Sequence, residues 1–256
     1  MTVEYGPKGL IGLLTPQANT TAEPECGILW PSGYAMISAR MTSDCQTLPE
    51  RLVDYVDRVD ETLRQFHNAP VDALSFACTG SAYLIGTARE DALIERLSGR
   101  LGVPFVSAGR AVTTALNALG ARRIGLLSPY PSDLTEAAVP YWTSRGFEVA
   151  AVAGTVVDNS SFHAIYTIRS ETASEALAAF EGKKLDAVIM LGTGMPTLKT
   201  ILGAPTIGGA SVLSCNLALA WATIAAIERR SPAAADLRAW IAGDGWRARY
   251  AERFSG

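Results

Sequence analysis

The chain has 256 residues, of which 48% are hydrophobic and 18% are charged, and its formal net charge is −3 at pH 7. This apolar content can form a buried core and excludes a disordered chain. The 22 basic and 25 acidic residues are interspersed, so no basic stripe indicates nucleic-acid binding. No apolar stretch is long enough to cross a bilayer, and the N-terminus lacks the pattern of a secretion signal. We therefore expect a cytoplasmic protein that binds neither nucleic acid nor membranes.

The four cysteines, Cys26, Cys45, Cys78 and Cys215, are widely spaced, and the chain contains only two histidines. A zinc site needs clustered Cys and His ligands at short spacing, and no such cluster is found in the sequence. Four cysteines in a chain of this length without a secretion signal do not indicate a disulfide framework. We therefore expect no metal and free thiols, of which one or more could be chemically active.

Short apolar runs alternate with longer amphipathic segments along the chain, which is typical of repeated strand–helix–strand units. The predicted strands are residues 10–14, 34–38, 73–77, 104–106, 123–127, 148–157, 187–191 and 211–214. The predicted helices are residues 49–66, 90–101, 110–119, 132–145, 170–180, 217–229 and one within 233–254. Nearly continuous apolar strands such as 187–191 favour a parallel sheet that is covered on both faces.

An internal repeat relates the two halves of the chain. The segment IGLLTP at 11–16 recurs as IGLLSP at 124–129, ACTG at 77–80 is echoed by LGTG at 191–194, and 104–107 is echoed by 211–214. The three matches occur in the same order in both halves and are separated by nearly the same number of residues. They predict two similar, pseudo-symmetric lobes, although chance similarity of glycine-rich turns is an alternative. We expect lobes at 1–115 and 116–216, with C-terminal helices from about 217–256 packing back on the first lobe. Cys78 and Gly192 would then face each other across one cleft.

Ligands of doubly wound sheets bind beyond the carboxyl ends of the strands, and several polar turns follow predicted strands here. The turn from Cys78 through Thr79 and Gly80 places a thiol beside backbone N–H groups and hydroxyls. Such donors can stabilise a thiolate and hold a carboxylate. A buried cysteine that serves only as a small apolar residue is the alternative. Cys215 also ends a strand and would approach the same cleft.

Further candidates for ligand contact come from both halves of the chain. Asn19 lies in a polar loop after the first strand, Tyr130 lies in a stiff turn between two prolines, and Asn159 ends a strand. Each of them could instead be a loop, interface or turn residue. Neither a phosphate-binding glycine motif nor a serine nucleophile motif is found, so nucleotide binding and serine hydrolysis have no support.

Several short motifs occur together in one order: P-x-x-N-T-T-x-E from Pro16, S-x-R-M from Ser38, A-C at 77–78, P-Y-x-x-x-L-T-E from Pro129, G-F-E-V from Gly146 and V-D-N at 157–159. In this order they resemble maleate cis–trans isomerase over roughly residues 8–228. The resemblance extends more loosely to arylmalonate decarboxylase and to the aspartate/glutamate/hydantoin racemase superfamily.

The resemblance implies a two-lobed α/β enzyme that forms a homodimer or a higher homo-oligomer and needs neither metal nor organic cofactor. A small carboxylate substrate would lie in the cleft between the lobes. Cys78 matches the nucleophile of the N-terminal lobe, and Asn19, Tyr130 and Asn159 match groups that bind the substrate carboxylate. The second cysteine of the isomerases would fall at Gly192, where this chain has no thiol.

The functional hypothesis is a cofactor-independent, cysteine-dependent isomerase that acts on a small mono- or dicarboxylate. Cys78 would be the nucleophile, and Tyr130, Thr193 or water would do the proton work of the missing second thiol. Backbone and side-chain donors of Thr79, Gly80 and the 192–194 turn (Gly192, Thr193, Gly194) would help to bind the substrate. One alternative is a decarboxylase or one-sided proton-transfer enzyme of the arylmalonate decarboxylase type. Another is a non-catalytic carboxylate-binding protein.

Overall fold

The first sheet is formed by the N-terminal part of the chain. The computed structural model describes residues 3–155 and 164–254. The strands of this sheet are β1 (Gly9–Pro16), β2 (Tyr34–Met41), β3 (Ala73–Phe76) and β4 (Phe105–Ser107). They are arranged in the order β2-β1-β3-β4, and all neighbouring strands are parallel.

The second sheet repeats this arrangement. Its strands are β5 (Arg123–Ser128), β6 (Glu148–Gly154), β7 (Ala187–Met190), β8 (Thr206–Ile207) and β9 (Ala210–Ser214). The order is β6-β5-β7-β9-β8, in which only the edge strand β8 is antiparallel to its neighbour within the described residues. Strands β5, β6, β7 and β9 therefore correspond to β1, β2, β3 and β4, which confirms the predicted pair of pseudo-symmetric α/β lobes.

Helices surround both sheets. They are α1 (Ala22–Leu29), α2 (Leu48–Asp57), α3 (Val59–Leu63), α4 (Thr79–Leu101), α5 (Ala108–Leu119), α6 (Ser132–Ser144), α7 (Ser170–Leu177), α8 (Leu198–Gly203), α9 (Cys215–Ile227), α10 (Ala234–Ile241) and α11 (Arg247–Phe254). Helix α9 packs against α5, α1 and β3, and α10 packs against α5 and α9. The limits of the two lobes at 115 and 216 stay a prediction. No helix in the described part of the chain is long and apolar enough to cross a membrane.

The repeated IGLL segment has a packing reason. In β1, a Cβ atom on Gly12 would lie 2.6 Å from Leu74 Cδ2 and 3.2 Å from Phe66 Cζ. In β5, a Cβ atom on Gly125 would lie 2.7 Å from the Phe180 ring. Both central strands thus accept a large side chain directly against their backbone, and only glycine leaves room for it.

A second pair of equivalent residues caps helices. Ser107 and Ser214 end the corresponding strands β4 and β9. The Ser107 hydroxyl oxygen accepts the Arg110 N–H at 3.1 Å, and the Ser214 hydroxyl oxygen accepts the Leu217 N–H at 3.2 Å. Serine is among the favoured residues at this position because its side chain satisfies an N–H group of the first helical turn.

The helix boundaries differ from the predicted ones at several places. Helix α4 begins at Thr79 instead of residue 90 and bends at Gly86, whose φ is +76°. The predicted helix 49–66 is divided into α2 and α3, and α1, α8 and β8 were not predicted. Helix α1 contains Pro24 and Gly27, which are poor helix formers, so its formation depends on packing and on capping from outside the helix.

Candidate functional site

Cys78 lies at the junction between β3 and α4, where the chain turns from a buried strand into a helix. It is the residue that precedes the first turn of α4. Its sulfur lies 3.0 Å from the Ser81 hydroxyl oxygen. The backbone N–H groups of Gly80 and Ser81 also donate toward it. The Ser81 hydroxyl and two backbone N–H groups therefore lie around one thiol at the carboxyl end of the first sheet.

The protonation of this thiol differs from the sequence-based expectation. The donors around Cys78 favour the thiolate, and we expected them to lower its pKa. In the structure the residue is only 4% exposed, and burial raises the pKa of the Cys78 thiol more than the hydrogen bonds lower it. The expectation of a lowered pKa is therefore wrong for this state, and the thiol is protonated at neutral pH.

Three tyrosines lie close enough to Cys78 to interact electrostatically with it. Tyr55 comes from α2, Tyr130 from the turn after β5, and Tyr166 from the short 3-10 helix Ala164–Thr167. Burial is the main cause that raises the pKa of each phenol, and the proximity of Cys78 is the second. The pKa of Tyr55 is raised to about 12. All three phenols are therefore neutral hydrogen-bond donors at physiological pH. The sequence predicts a site role for Tyr130 only, since no motif marks Tyr55 or Tyr166.

Tyr130 also reaches the opposite lobe. Its hydroxyl oxygen lies 3.2 Å from Thr79 Oγ1, at the start of α4. It also lies 3.1 Å from the position that a Cβ atom on Gly192 would take. Gly192 follows β7 as Cys78 follows β3, and its φ of +80° favours glycine. A side chain at position 192 would therefore lie next to the Tyr130 hydroxyl.

Asn19 and Thr193, both predicted to bind the substrate, are bonded to each other. Asn19 Nδ2 donates to Thr193 Oγ1 at 3.1 Å, and Thr193 Oγ1 donates to the Ala77 carbonyl at 2.7 Å. Asn19 Oδ1 accepts the N–H groups of Thr21 and Ala22 at 2.8 and 2.9 Å, at the start of α1. Both side chains therefore join the turn after β7 to the first lobe.

A buried carboxylate extends this junction and was missed in the sequence. Glu25 of α1 accepts hydrogen bonds from the N–H groups of Thr197 and Leu198, at 2.5 and 3.1 Å, and from Asn216 Nδ2 at 2.8 Å. Burial raises the pKa of Glu25, against the lowering effect of these donors. No local motif marks Glu25, since all its partners are distant in the chain.

Gly194, another predicted residue, also lies at this junction. The Gly194 carbonyl accepts a hydrogen bond of 2.7 Å from Thr21 Oγ1. A Cβ atom on Gly194 would lie 2.6 Å from the Tyr166 ring, so Tyr166 packs directly on this turn. Asn159 lies outside the described residues.

Positive charge is present near the tyrosines. Arg40 and Arg51 both lower the pKa of Tyr166 through their charges, although burial still raises it overall. Arg40 Nη1 donates to the Asn19 carbonyl at 2.7 Å, and its guanidinium pairs with Glu23. The two arginines come from β2 and α2, so the sequence of the loops that follow the strands shows no basic cluster. Their field favours an anionic ligand. Within the described residues, no group of three or more His, Cys, Asp and Glu side chains could hold a metal ion.

Comparison with known proteins places this architecture among enzymes. The curated maleate isomerase of Nocardia farcinica is 27% identical over 230 residues, which cover 85% of this chain and 90% of that protein. The maleate isomerase of Pseudomonas putida KT2440 is 28% identical over 151 residues, or 54% of this chain. This second alignment spans 60% of the length of that relative.

Solved structures show the same fold. The maleate isomerase Iso from Pseudomonas putida S16 has a TM-score of 0.78 at 24% identity, covering 86% of this chain and 93% of that one. A cysteine-to-serine mutant of the Nocardia farcinica maleate cis-trans isomerase, which contains a covalently bound succinylcysteine intermediate, has a TM-score of 0.76 at 23% identity and covers 90% of this chain and 98% of that one. The family profile of arylmalonate decarboxylase matches residues 11–238. The chain therefore belongs to the arylmalonate decarboxylase family.

Proposed function

We propose that this protein is a cofactor-independent isomerase of a small mono- or dicarboxylate, with maleate as the first substrate to test. The observation that carries the proposal is the buried Cys78 thiol at the junction of β3 and α4, which lies 3.0 Å from the Ser81 hydroxyl and close enough to three neutral phenols to raise their pKa values. Neutral phenols and backbone amides can bind a carboxylate without a permanent salt bridge. The positive charges of Arg40 and Arg51 add attraction for an anion.

The proposed reaction adds the Cys78 S–H across the carbon–carbon double bond. Sulfur bonds to one alkene carbon, and the π electron pair moves to the adjacent carbon and its carboxylate. Tyr130 donates its proton to that carbon, and the thiol proton passes through the substrate carboxylate to the Tyr130 oxygen, so that Tyr130 gives one proton and receives one. The former double bond is now single, so rotation about it interconverts the two geometries. The reverse steps remove the proton and expel the sulfur, and the substrate leaves with all its atoms.

Tyr130 is the better candidate for the proton transfer than Thr193. The Thr193 hydroxyl already donates to the Ala77 carbonyl and accepts from Asn19. The Tyr130 hydroxyl, in contrast, lies 3.1 Å from the position that a Cβ atom on Gly192 would take, and Gly192 is the predicted counterpart of Cys78 across the cleft. A donor at this place can reach the carbon that the sulfur does not attack. We keep Asn159 as a proposed carboxylate ligand on the strength of the family resemblance alone.

The test is incubation of the purified protein with maleate, followed by proton NMR, in which maleate and fumarate give separate signals. We expect fumarate to accumulate with the wild type, and Cys78→Ser to reduce the rate to background. Cys45→Ser is the matched control, since Cys45 is only half-buried and should not affect the rate. Equal rates for the wild type and Cys78→Ser would contradict the proposal.

Decarboxylation of a substituted malonate is the second candidate. Of the two predicted cleft positions, 78 and 192, only the first carries a thiol, because residue 192 is glycine. The residues beside Gly192 (Met190, Leu191, Met195) are fully buried apolar side chains. An apolar wall of this kind could destabilise one carboxylate while protonation occurs from one face. Release of CO₂ from a phenyl-substituted malonate, with one product enantiomer, would support this reaction. Thermal stabilisation by maleate without turnover of either compound would indicate a binding protein.

A further inference from the structure

The Ser81 hydroxyl is a hydrogen-bond partner of the Cys78 thiol. Ser81 is the third residue of α4 and is fully buried, and its Oγ lies 3.0 Å from the Cys78 sulfur. A serine within a helix often donates to the carbonyl four residues back. That carbonyl, at Ala77, accepts the Thr193 hydroxyl at 2.7 Å. The Ser81 hydroxyl is directed at the thiol instead.

The charge of the sulfur decides the direction of this hydrogen bond. While Cys78 is a thiol, either atom can be the donor. A thiolate has no proton and can only accept, so the Ser81 hydroxyl must then donate to it. A hydrogen bond to a charged group is stronger than one between neutral groups. Ser81 therefore stabilises every state in which the Cys78 sulfur carries negative charge more than it stabilises the thiol.

The internal repeat links this hydroxyl to the thiol. In the equivalent turn after β7, Gly192 stands in the place of Cys78 and Met195 stands in the place of Ser81. The thiol and the hydroxyl are therefore both present in the first lobe and both absent from the second. Met195 is fully buried, which shows that this position of the turn accepts an apolar side chain. The fold by itself does not require a hydroxyl at position 81.

Other titratable groups near Cys78 come from four different elements. They are Tyr55, Tyr130, Tyr166 and Cys215. Burial raises the pKa of each, that of Cys215 to about 12, so all four are neutral at physiological pH. None of these four groups supplies a charge that would replace the Ser81 hydrogen bond. The positive charges of Arg40 and Arg51, which act on Tyr166, are the same in every variant of Ser81.

We propose that Ser81 is a positioning residue, which holds the Cys78 sulfur and stabilises negative charge on it by donating a hydrogen bond. The inference rests on the proposed function, in which the sulfur gains charge twice. It does so when the thiol proton leaves, and again when the bond between carbon and sulfur breaks and its electron pair returns to the sulfur. Ser81 acts through Cys78 in both steps and forms no bond to the substrate.

The test without turnover is the rate at which iodoacetamide alkylates Cys78 at mildly alkaline pH, measured by mass spectrometry of the Cys78 peptide. Only the thiolate reacts, so the rate follows the thiolate fraction. Ser81→Ala should lower the rate by about tenfold, because one hydrogen bond to a charged group is lost. This substitution removes an atom beside the sulfur, so a change in access can only raise the rate. Ser81→Thr keeps the hydroxyl and should stay within about threefold of the wild type.

Two controls separate this effect from a change in packing. Ser75→Ala removes another fully buried hydroxyl, in the strand that leads to Cys78. The Ser75 hydroxyl is paired with Thr223 Oγ1 at 2.7 Å, so its loss should leave the alkylation of Cys78 unchanged. The half-buried Cys45 is the internal reference, and its rate should be the same in every variant.

Turnover of maleate tests the same residue in the proposed reaction. Ser81→Ala should lower kcat by about tenfold with KM within about twofold of the wild type, and Ser81→Thr should restore most of kcat. A wild type that converts no maleate would refute the proposed function, whereas slower alkylation of Cys78 in Ser81→Ala would still support the role of Ser81. Alkylation of Cys78 that is as fast in Ser81→Ala as in the wild type, or as slow in Ser75→Ala as in Ser81→Ala, would overturn that role.

Discussion

Replacing Asn19 with alanine tests whether this residue joins the two lobes. Its side chain makes three buried hydrogen bonds, two that accept N–H groups at the start of α1 and one that donates to Thr193 across the lobe boundary. The sequence analysis assigned Asn19 to the binding of a substrate carboxylate. The structure adds a second role, which predicts a loss of stability in the absence of any ligand.

The expected loss follows from the bonds that are removed. Loss of a side-chain acceptor at a helix start typically costs about 1 kcal/mol. The buried bond from Asn19 to the Thr193 hydroxyl contributes about 1 kcal/mol more. A total of about 2 kcal/mol in a chain of this size corresponds to a decrease in Tm of about 4–8 °C.

The assay is thermal unfolding followed by circular dichroism, together with urea unfolding for the free energy. Thr20→Ala, at the exposed neighbouring residue, is the control and should change Tm by little. In a Thr193→Val background, Asn19→Ala should cost about 1 kcal/mol less, because their shared bond is already lost. A Tm for Asn19→Ala no lower than that of Thr20→Ala would refute the reasoning.

Three further predictions follow from burial and backbone geometry. Because burial raises the pKa of Glu25, the unfolded chain loses this proton at lower pH than the folded one. The stability advantage of the wild type over Glu25→Gln in urea unfolding should therefore fall as pH rises above the unfolded pKa of about 4.3. The exposed Glu171 is the control, because Lys199 lowers its pKa. The stability advantage of the wild type over Glu171→Gln should therefore rise with pH. Equal pH slopes for the two variants would contradict the raised pKa of Glu25. Iodoacetamide at neutral pH should label the half-buried Cys45 before the buried Cys78, and mass spectrometry showing Cys78 labelled first would contradict this prediction. Gly192→Cys should lower stability by about 1–3 kcal/mol because φ is +80° and its Cβ would lie 3.1 Å from Pro129 Cγ, whereas the helical control Gly99→Ala should not destabilise the protein.

The arrangement of the strands was predictable because it follows from local patterns. Apolar runs bounded by glycine marked the central strands, and the repeated IGLL segment identified β1 and β5 as equivalent. The glycine in that segment is needed for packing in both lobes, so the repeat has a physical cause. The start of α4 could not be predicted, since its first turns contain Thr79, Gly80 and Ser81, which have low helix propensity and are held by burial.

The positions of Cys78 and Gly192 after equivalent strands were determined by the sequence itself, because each directly follows a short apolar strand that local composition marks. Their surroundings were decided only by the tertiary structure. Asn19 and Thr193 are bonded to each other, and Tyr55 and Tyr166 come to Cys78 from remote elements. The protonation of Cys78 depends on burial, which is the sum of contacts from both lobes. Such long-range contacts have no signature in a local motif. The residue types of the site could therefore be predicted from the sequence, but their hydrogen-bond partners and pKa values could not.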